Sequence, residues 1–262
     1  MMQTKSDPFI LAITTSYVVV YKPPGLATAP LVEHETDTLV YWCRDRFPEV
    51  GTVAGKKAIE GGLLHRLDRE TNGIVVFSRT QAAYDMLMEQ QVRGLFIKTY
   101  RAWCQKCDVH LVRPGMGFPP PPCKMVMPLS SPLEIASPFR PYGPGRRQVR
   151  PVAGKTFKEV ALDQGRPYKT TIHSVQTDDE DSSIYIFDVQ IERGFRHQIR
   201  CHLAWFGFPI VGDPLYNPLY SAGIAHEKPL ALQAWAVEFQ DPETQKTVRY
   251  ELTSSTDTGG IV

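Results

Sequence analysis

No stretch of this 262-residue chain approaches the roughly 18 consecutive apolar residues that a membrane-crossing helix needs. The N-terminus also lacks a basic segment followed by an apolar core, so neither membrane insertion nor secretion is expected and a cytoplasmic protein is. Cysteine is scarce. Cys43, Cys104, Cys107, Cys123 and Cys201 make an odd count without the spacing of a disulfide framework, which suits a reducing compartment. Nor is there an excess of charge: 29 Lys and Arg against 28 Asp and Glu give a net charge of +1, which excludes nucleic-acid binding through bulk electrostatics alone. No internal repeat is present. With 42% hydrophobic and 22% charged residues, the composition is that of a folded protein large enough for one large domain or two small ones.

Charge is uneven locally. Between residues 136 and 172, Arg140, Arg146, Arg147, Arg150, Lys155, Lys158, Arg166 and Lys169 face only Glu159 and Asp163, a net +6 that suits phosphate contact or a solvated loop. Cys104-x-x-Cys107, with His110 and Cys123 nearby, is half of a zinc-site pattern, but the second pair has neither Cys-x-x-Cys nor His-x3-His spacing. The zinc-dependent nucleobase deaminase signature also fails, since no Pro precedes Cys104 and Glu33-His34-Glu35-Thr36 lacks the His-x-Glu order. No metal is expected.

Val18 to Tyr21 and Ile74 to Phe77 read as strands, and Gln81 to Arg93 has helical spacing stopped by Gly94. Phe96 to Cys104 returns to a strand. Residues 113 to 154, with their run Pro119 to Pro122, read as an irregular surface loop or insertion. Lys169 to Val175 and Ile184 to Ile191 alternate around an acidic turn and predict a hairpin. His197 to Phe206 predicts a helix, and Trp235 to Phe239 with Thr247 to Leu252 a last strand pair. Strands dominate without βαβ alternation, which predicts an α+β fold with a mixed, largely antiparallel sheet.

The densest chemistry lies in Gly62-Leu63-Leu64-His65-Arg66-Leu67-Asp68-Arg69-Glu70-Thr71-Asn72-Gly73, which places a carboxylate between two arginines on a loop entering a buried strand. A rigid strand behind such a loop is how functional groups are commonly mounted. Taken alone, Asp68 reads equally as a surface ion pair with Arg66 or Arg69, worth under about 1 kcal/mol.

His65-Arg66-Leu67-Asp68, followed by Thr-x-Gly and an apolar strand, resembles the catalytic motif of the RluA-type pseudouridine synthases. Three further segments match that family in order: Val18-Val19-Val20-Tyr21-Lys22-Pro23-Pro24-Gly25-Leu26, Ile97-Lys98-Thr99-Tyr100-Arg101-Ala102, and Gly194-Phe195-Arg196-His197-Gln198-Ile199-Arg200 running on to Gly212-Asp213-Pro214-Leu215-Tyr216. Phe195 and Arg196 depart from the family's Gly-Arg-x-His order, and Gln233 replaces its usual His. The resemblance implies one catalytic domain whose sheet is split by a central active-site cleft. The small RNA-binding module that many members carry ahead of it is not expected here, because the opening strand starts near residue 17.

By this resemblance the chain isomerises a uridine in ribosomal or transfer RNA to pseudouridine, as a monomer and with no cofactor, since an isomerisation needs none. Asp68 is then the nucleophile, Arg200 its cationic partner, and Tyr100 the residue that stacks on the target ring and assists proton removal. Arg66 fills the gap left by the flipped base, and Leu232 packs on the base. Lys22, Lys98, Arg196 and His197 contact the RNA. The alternative reading is a noncatalytic RNA-binding relative with the same fold, which would be free to lose Asp68, Tyr100 or Arg200. A glycosidase-like carboxylate pair would have only Glu70 close by in sequence.

Overall fold

A computed structural model describes residues 7–32, 34–108, 116–123, 125–152, 160–162, 165–221 and 228–253. In chain order the elements are β1 (Phe9–Ile13), β2 (Tyr17–Lys22), α1 (Leu39–Arg46), β3 (Asn72–Ser78), α2 (Gln81–Arg93) and β4 (Ile97–Gln105). They continue with β5 (Leu133–Ser137), β6 (Phe139–Tyr142), β7 (Gln148–Pro151), β8 (Tyr168–Thr177), β9 (Ile184–Ile191), α3 (Gln198–Trp205), β10 (Leu232–Gln240) and β11 (Thr247–Glu251). The chain divides into two compact units, residues 1–98 with 233–262, and residues 99–232.

In the first unit β1, β2, β3 and β10 lie side by side, with β11 on β10. The β2–β3 pair is antiparallel, running from Tyr17 opposite Ser78 to Lys22 opposite Gly73. β3 and β10 run parallel, through Gln233 opposite Asn72 and Ala234 opposite Gly73. Gly73 is required there. Its φ is +124°, and a Cβ on it would come within 2.3 Å of the Ala234 carbonyl oxygen. On one face, alternate residues Tyr17, Val19 and Tyr21 of β2 and Ile74 and Val76 of β3 pack with Leu87, Phe96 and Phe239, so the hydrophobic period of two sets the register. Helix α2 ends as the sequence predicts, with Gly94 left-handed at φ 72°.

The second unit orders its strands β4, β9, β8, β5. The predicted hairpin is β8 and β9, antiparallel with a bulge between Ile172 and Ser174. The expectation of an irregular 113–154 segment is corrected over 133–151. Leu133–Ser137 joins the edge of β8, and β6 and β7 form a separate hairpin from Phe139 opposite Pro151 to Tyr142 opposite Gln148. The apolar residues of this segment outweigh its prolines, which fall where strands end (Pro138) or on a two-stranded ribbon (Pro141). Phe139 and Val149 anchor that ribbon against Cys201, Ala204 and Tyr216. Pairings of both senses and few helices give the predicted α+β fold with a mixed, largely antiparallel set of strands.

Candidate active site

The loop bearing Asp68 is held by its main chain. Ser78 N–H donates to Gly62 C=O at 2.8 Å and Leu64 N–H to Val76 C=O at 3.2 Å, which lays the start of the loop along β3. The Thr28 hydroxyl then clamps both sides of Leu67, donating to its C=O at 2.8 Å and accepting its N–H at 3.2 Å. On the other side of Asp68, the Arg69 carbonyl accepts Gly25 N–H at 2.8 Å and the Lys22 ammonium at 3.0 Å. Thr71 N–H closes the turn on the Asp68 carbonyl at 3.2 Å. Asp68 itself is half-buried, between two neighbours whose backbones are fixed.

Lys22 corrects a sequence assignment. Its side chain is fully buried, and its ammonium donates to the carbonyls of Pro23 (2.9 Å), Leu26 (2.8 Å) and Arg69 (3.0 Å). Three donors meeting three acceptors leave none for a phosphate. Lys22 instead joins the Lys-Pro-Pro-Gly-Leu turn to the Asp68 loop. Burial lowers its pKa to about 7, with the charges of Glu70 and Asp68 working in the opposite direction.

Lys98 is likewise buried rather than offered to RNA, at 4% exposure, with its ammonium 5.4 Å from the centre of the Phe96 ring. It acts on its surroundings. Burial first, then the Lys98 and Lys56 charges, lower the pKa of His65 to about 3, and the neutral ring accepts Val76 N–H at Nε2. Arg66 lies nearer the surface, its guanidinium 3.0 Å from the buried carboxylate of Glu60. A groove of about 430 Å³ beside the Lys22 turn is lined by Asp7, Asp37 and Asp45 together with Pro8, Pro23 and Pro24. Tyr41, Trp42 and Arg46 of α1 also line it, so hydrogen-bond donors and carboxylates share the groove.

In the second unit, Tyr100 on β4 and Leu232 at the start of β10 are both buried. Arg200, in the first turn of α3, is 2% exposed and forms a bidentate pair with Asp213, Nε to Oδ2 and Nη2 to Oδ1 both at 2.8 Å. Asp213 is the partner of Arg200 that sequence reasoning missed. Its Oδ1 also accepts the N–H groups of Leu215 (2.9 Å) and Tyr216 (3.1 Å), so one carboxylate folds the Gly-Asp-Pro-Leu-Tyr turn and fixes the arginine. The signal was the Asp-Pro turn just after a helix that carries a buried arginine.

His197 precedes α3 in a left-handed conformation, φ 56° and ψ 20°, and its Nδ1 lies 3.0 Å from the Tyr216 hydroxyl. Arg196 is exposed and donates through Nη2 to the carbonyls of Arg146 (2.7 Å) and Gln148 (3.3 Å), bracing the β6–β7 ribbon. Within the basic stretch, Arg150 is buried among Phe118, Tyr142 and Tyr216, and Lys169 pairs with Glu134 at 3.0 Å. Burial closes Arg150 off from phosphate, whereas the Lys169 pair lies at the surface. Lys155, Lys158, Glu159 and Asp163 lie outside the described residues, as does His110. Cys104 and Cys107 are buried thiols whose pKa values burial raises, and among the described residues no group of three or more His, Cys, Asp or Glu could hold a metal. No described helix is long and apolar enough to cross a membrane.

Residues 16–205 match the family model described as RNA pseudouridylate synthase. An RNA pseudouridine synthase of Chloroflexus aurantiacus, named as uncharacterized, is 32% identical over 197 residues, 75% of this chain and 51% of that protein. The ribosomal large subunit pseudouridine synthase D of Neisseria meningitidis is 26% identical over 242 residues, 89% of this chain and 54% of its own length. The chain thus spans about half the length of each of these curated relatives. Among solved structures, human RNA pseudouridylate synthase domain containing 1 superposes with a TM-score of 0.65 at 18% identity, over 97% of this chain and 86% of that one, a likeness of fold. With the family model covering all of β2 to α3, this chain belongs to the RNA pseudouridylate synthase family.

Proposed function

We propose that this chain is an RNA pseudouridine synthase that isomerises a uridine of structured RNA, with large-subunit ribosomal RNA as the first substrate to test. The observation that carries the reading is the family match over residues 16–205, which contains an Asp68 whose two neighbours are pinned by Thr28, Gly25 and Lys22. A nucleophile fixed before the substrate arrives spares the reaction the cost of ordering it. The name of the Neisseria relative supports the ribosomal substrate.

In this mechanism the target uridine is flipped from its stack at a cost of a few kcal/mol, and Arg66 fills the vacated space. Asp68 attacks as a carboxylate, with the Arg200 guanidinium countering the cost of holding that charge away from water. Tyr100 stacks on the detached uracil and assists removal of the C5 proton, and Leu232 packs against the ring. The N1–C1′ bond breaks, the uracil turns, C5 joins C1′ as the bond to Asp68 is released, and the proton lost from C5 is balanced by one gained at N1, so no cofactor is consumed. The two units act as a single catalytic domain, working as a monomer in the cytoplasm.

The test is pseudouridine mapping on transcripts of large-subunit ribosomal RNA and transfer RNA incubated with the purified chain. One or a few modified positions in the ribosomal transcript are expected. Modification confined to transfer RNA would move the substrate assignment, and none in either RNA would contradict the activity.

A further inference from the structure

The loop from Gly55 to Gly61, just ahead of the Asp68 motif, is pinched shut. Its two ends meet backbone to backbone, so that a Cβ on Gly55 would fall 2.0 Å from the Gly61 carbonyl oxygen. Between them, Lys56 N–H donates to the hydroxyl of the buried Tyr84 at 2.9 Å, and Glu60 N–H to the Lys57 carbonyl at 2.9 Å. Two exposed lysines, Lys56 and Lys57, thus stand on a fixed support.

Glu60 is 5% exposed, yet the cations that answer it face solvent. Its Oε1 lies 3.0 Å from Nη1 of Arg66 and 3.8 Å from Nζ of Lys57, whose side chains are 43% and 62% exposed. A buried carboxylate must be paired, but one oxygen does not exhaust the five N–H donors of a guanidinium and the three of an ammonium. The Lys56 charge belongs to the same neighbourhood, since it is felt at His65. Lys56, Lys57 and Arg66 against Glu60 leave a net +2. The chain sets how far this charge lies from the chemistry. Arg66 is two residues from Asp68, so their Cα atoms are within about 7 Å of each other. A strand that delivers a uridine to Asp68 carries its phosphates past Arg66, and phosphates are what lysines at such a surface contact.

We infer that Lys56 and Lys57 bind phosphates flanking the target uridine, and that the buried Glu60 is the positioning residue that holds Lys57 beside Arg66. The inference rests on the RNA pseudouridine synthase reading above. It extends the RNA surface from the Asp68 motif to the pinched loop before it, and it leaves Arg66 in place for the gap that the flipped base vacates.

Glu60→Gln tests the positioning role by the sign of its effect. By charge alone, removing a carboxylate beside RNA tightens binding, whereas loosening Lys57 and Arg66 weakens it. Affinity for a large-subunit ribosomal RNA fragment is expected to fall about threefold. Asp85→Asn, which removes an exposed carboxylate near the same Tyr84, is expected not to lower it. Equal or tighter binding by Glu60→Gln would overturn the positioning role. Lys56→Gln and Lys57→Gln change exposed side chains and so spare the fold. Each is expected to reduce the slope of log Kd against log salt concentration by about 0.7–1, and the double variant by about 1.5–2. Unchanged slopes would overturn the phosphate contacts, even if Glu60→Gln failed to fold. If the wild-type chain binds the fragment but forms no pseudouridine, the catalytic reading fails while the slopes still decide the surface. If it does not bind the fragment, the surface falls with it.

Discussion

The Asp68 loop and the Arg200 helix are built on opposite plans. Asp68 is placed by main-chain bonds to its neighbours: Thr28 on Leu67, Gly25 and Lys22 on Arg69, Thr71 on Asp68's own carbonyl. Arg200 is placed by its own side chain, both ends of whose guanidinium meet Asp213. The difference follows from what each group does in the proposed reaction. A nucleophile must bond to substrate, so it is positioned through the chain around it. A cation that acts through its field keeps its value while paired, and a buried guanidinium without a carboxylate would be expensive.

The comparison predicts unequal damage when each support is removed. Asp213→Ala takes the bidentate carboxylate from a buried guanidinium and strips two backbone donors of their acceptor, and should cost the fold about 3–5 kcal/mol in denaturant unfolding. A cost near zero would mean that Arg200 is held by something else. Lys22→Met, close in volume, leaves the Pro23, Leu26 and Arg69 carbonyls without their shared donor while relieving a buried charge. A loss of about 2 kcal/mol is expected, together with a larger loss of activity than stability alone explains. An active Lys22→Met enzyme would show that the strut is dispensable for Asp68. Thr28→Val keeps shape but unpairs Leu67, and about 1–2 kcal/mol is expected, with activity again falling more than stability.

The smallest effect concerns pH. Burial lowers the pKa of His202 to about 3, and its two ring nitrogens lie 2.8 Å from Thr170 Oγ1 and 2.9 Å from Ser137 Oγ. The unfolded chain binds this proton at an ordinary histidine pKa, so stability is full above about 6.5 and declines as pH falls towards 3. His202→Gln should remove one proton's share of that slope, about 1.4 kcal/mol per pH unit, in urea unfolding between pH 4 and 6. An unaltered slope would mean that His202 is charged in the fold.

Much of this plan is legible in the chain. The Thr-Asn-Gly turn before four apolar residues announces a strand whose glycine must sit against another backbone, and Gly73 does so on Ala234. Helix α2 declares both ends, through Thr80, whose hydroxyl accepts Ala83 N–H, and Gly94. Strand β1 and helix α1 escape notice. Leu39-Val40-Tyr41-Trp42-Cys43 is apolar on all sides and so has no helical stripe, although Thr38 caps it by accepting Tyr41 N–H at 3.4 Å. The proline-rich segment conceals β5 to β7 because proline in an edge ribbon carries the same letter as proline in a loop.

The site divides in the same way. The motif points to Asp68, Tyr100 and Arg200, because their residue types and order are fixed along the sequence. The roles of Lys22 and Lys98 are hidden, since a lysine among polar neighbours looks the same whether its ammonium meets phosphates or three carbonyls. Asp213 and Tyr216 emerge only when the turn after α3 folds back on the helix, bringing the carboxylate to Arg200 and the phenol to His197.

The central claim is that Asp68 is the nucleophile of an RNA pseudouridine synthase. Tritium release from RNA carrying 5-tritiated uridine tests it most directly, comparing the wild-type chain with Asp68→Asn, which keeps the side-chain shape and removes the charge. Release by wild type and none above background by Asp68→Asn, with RNA affinity within about twofold, is the predicted result. Comparable release by the two proteins would contradict it.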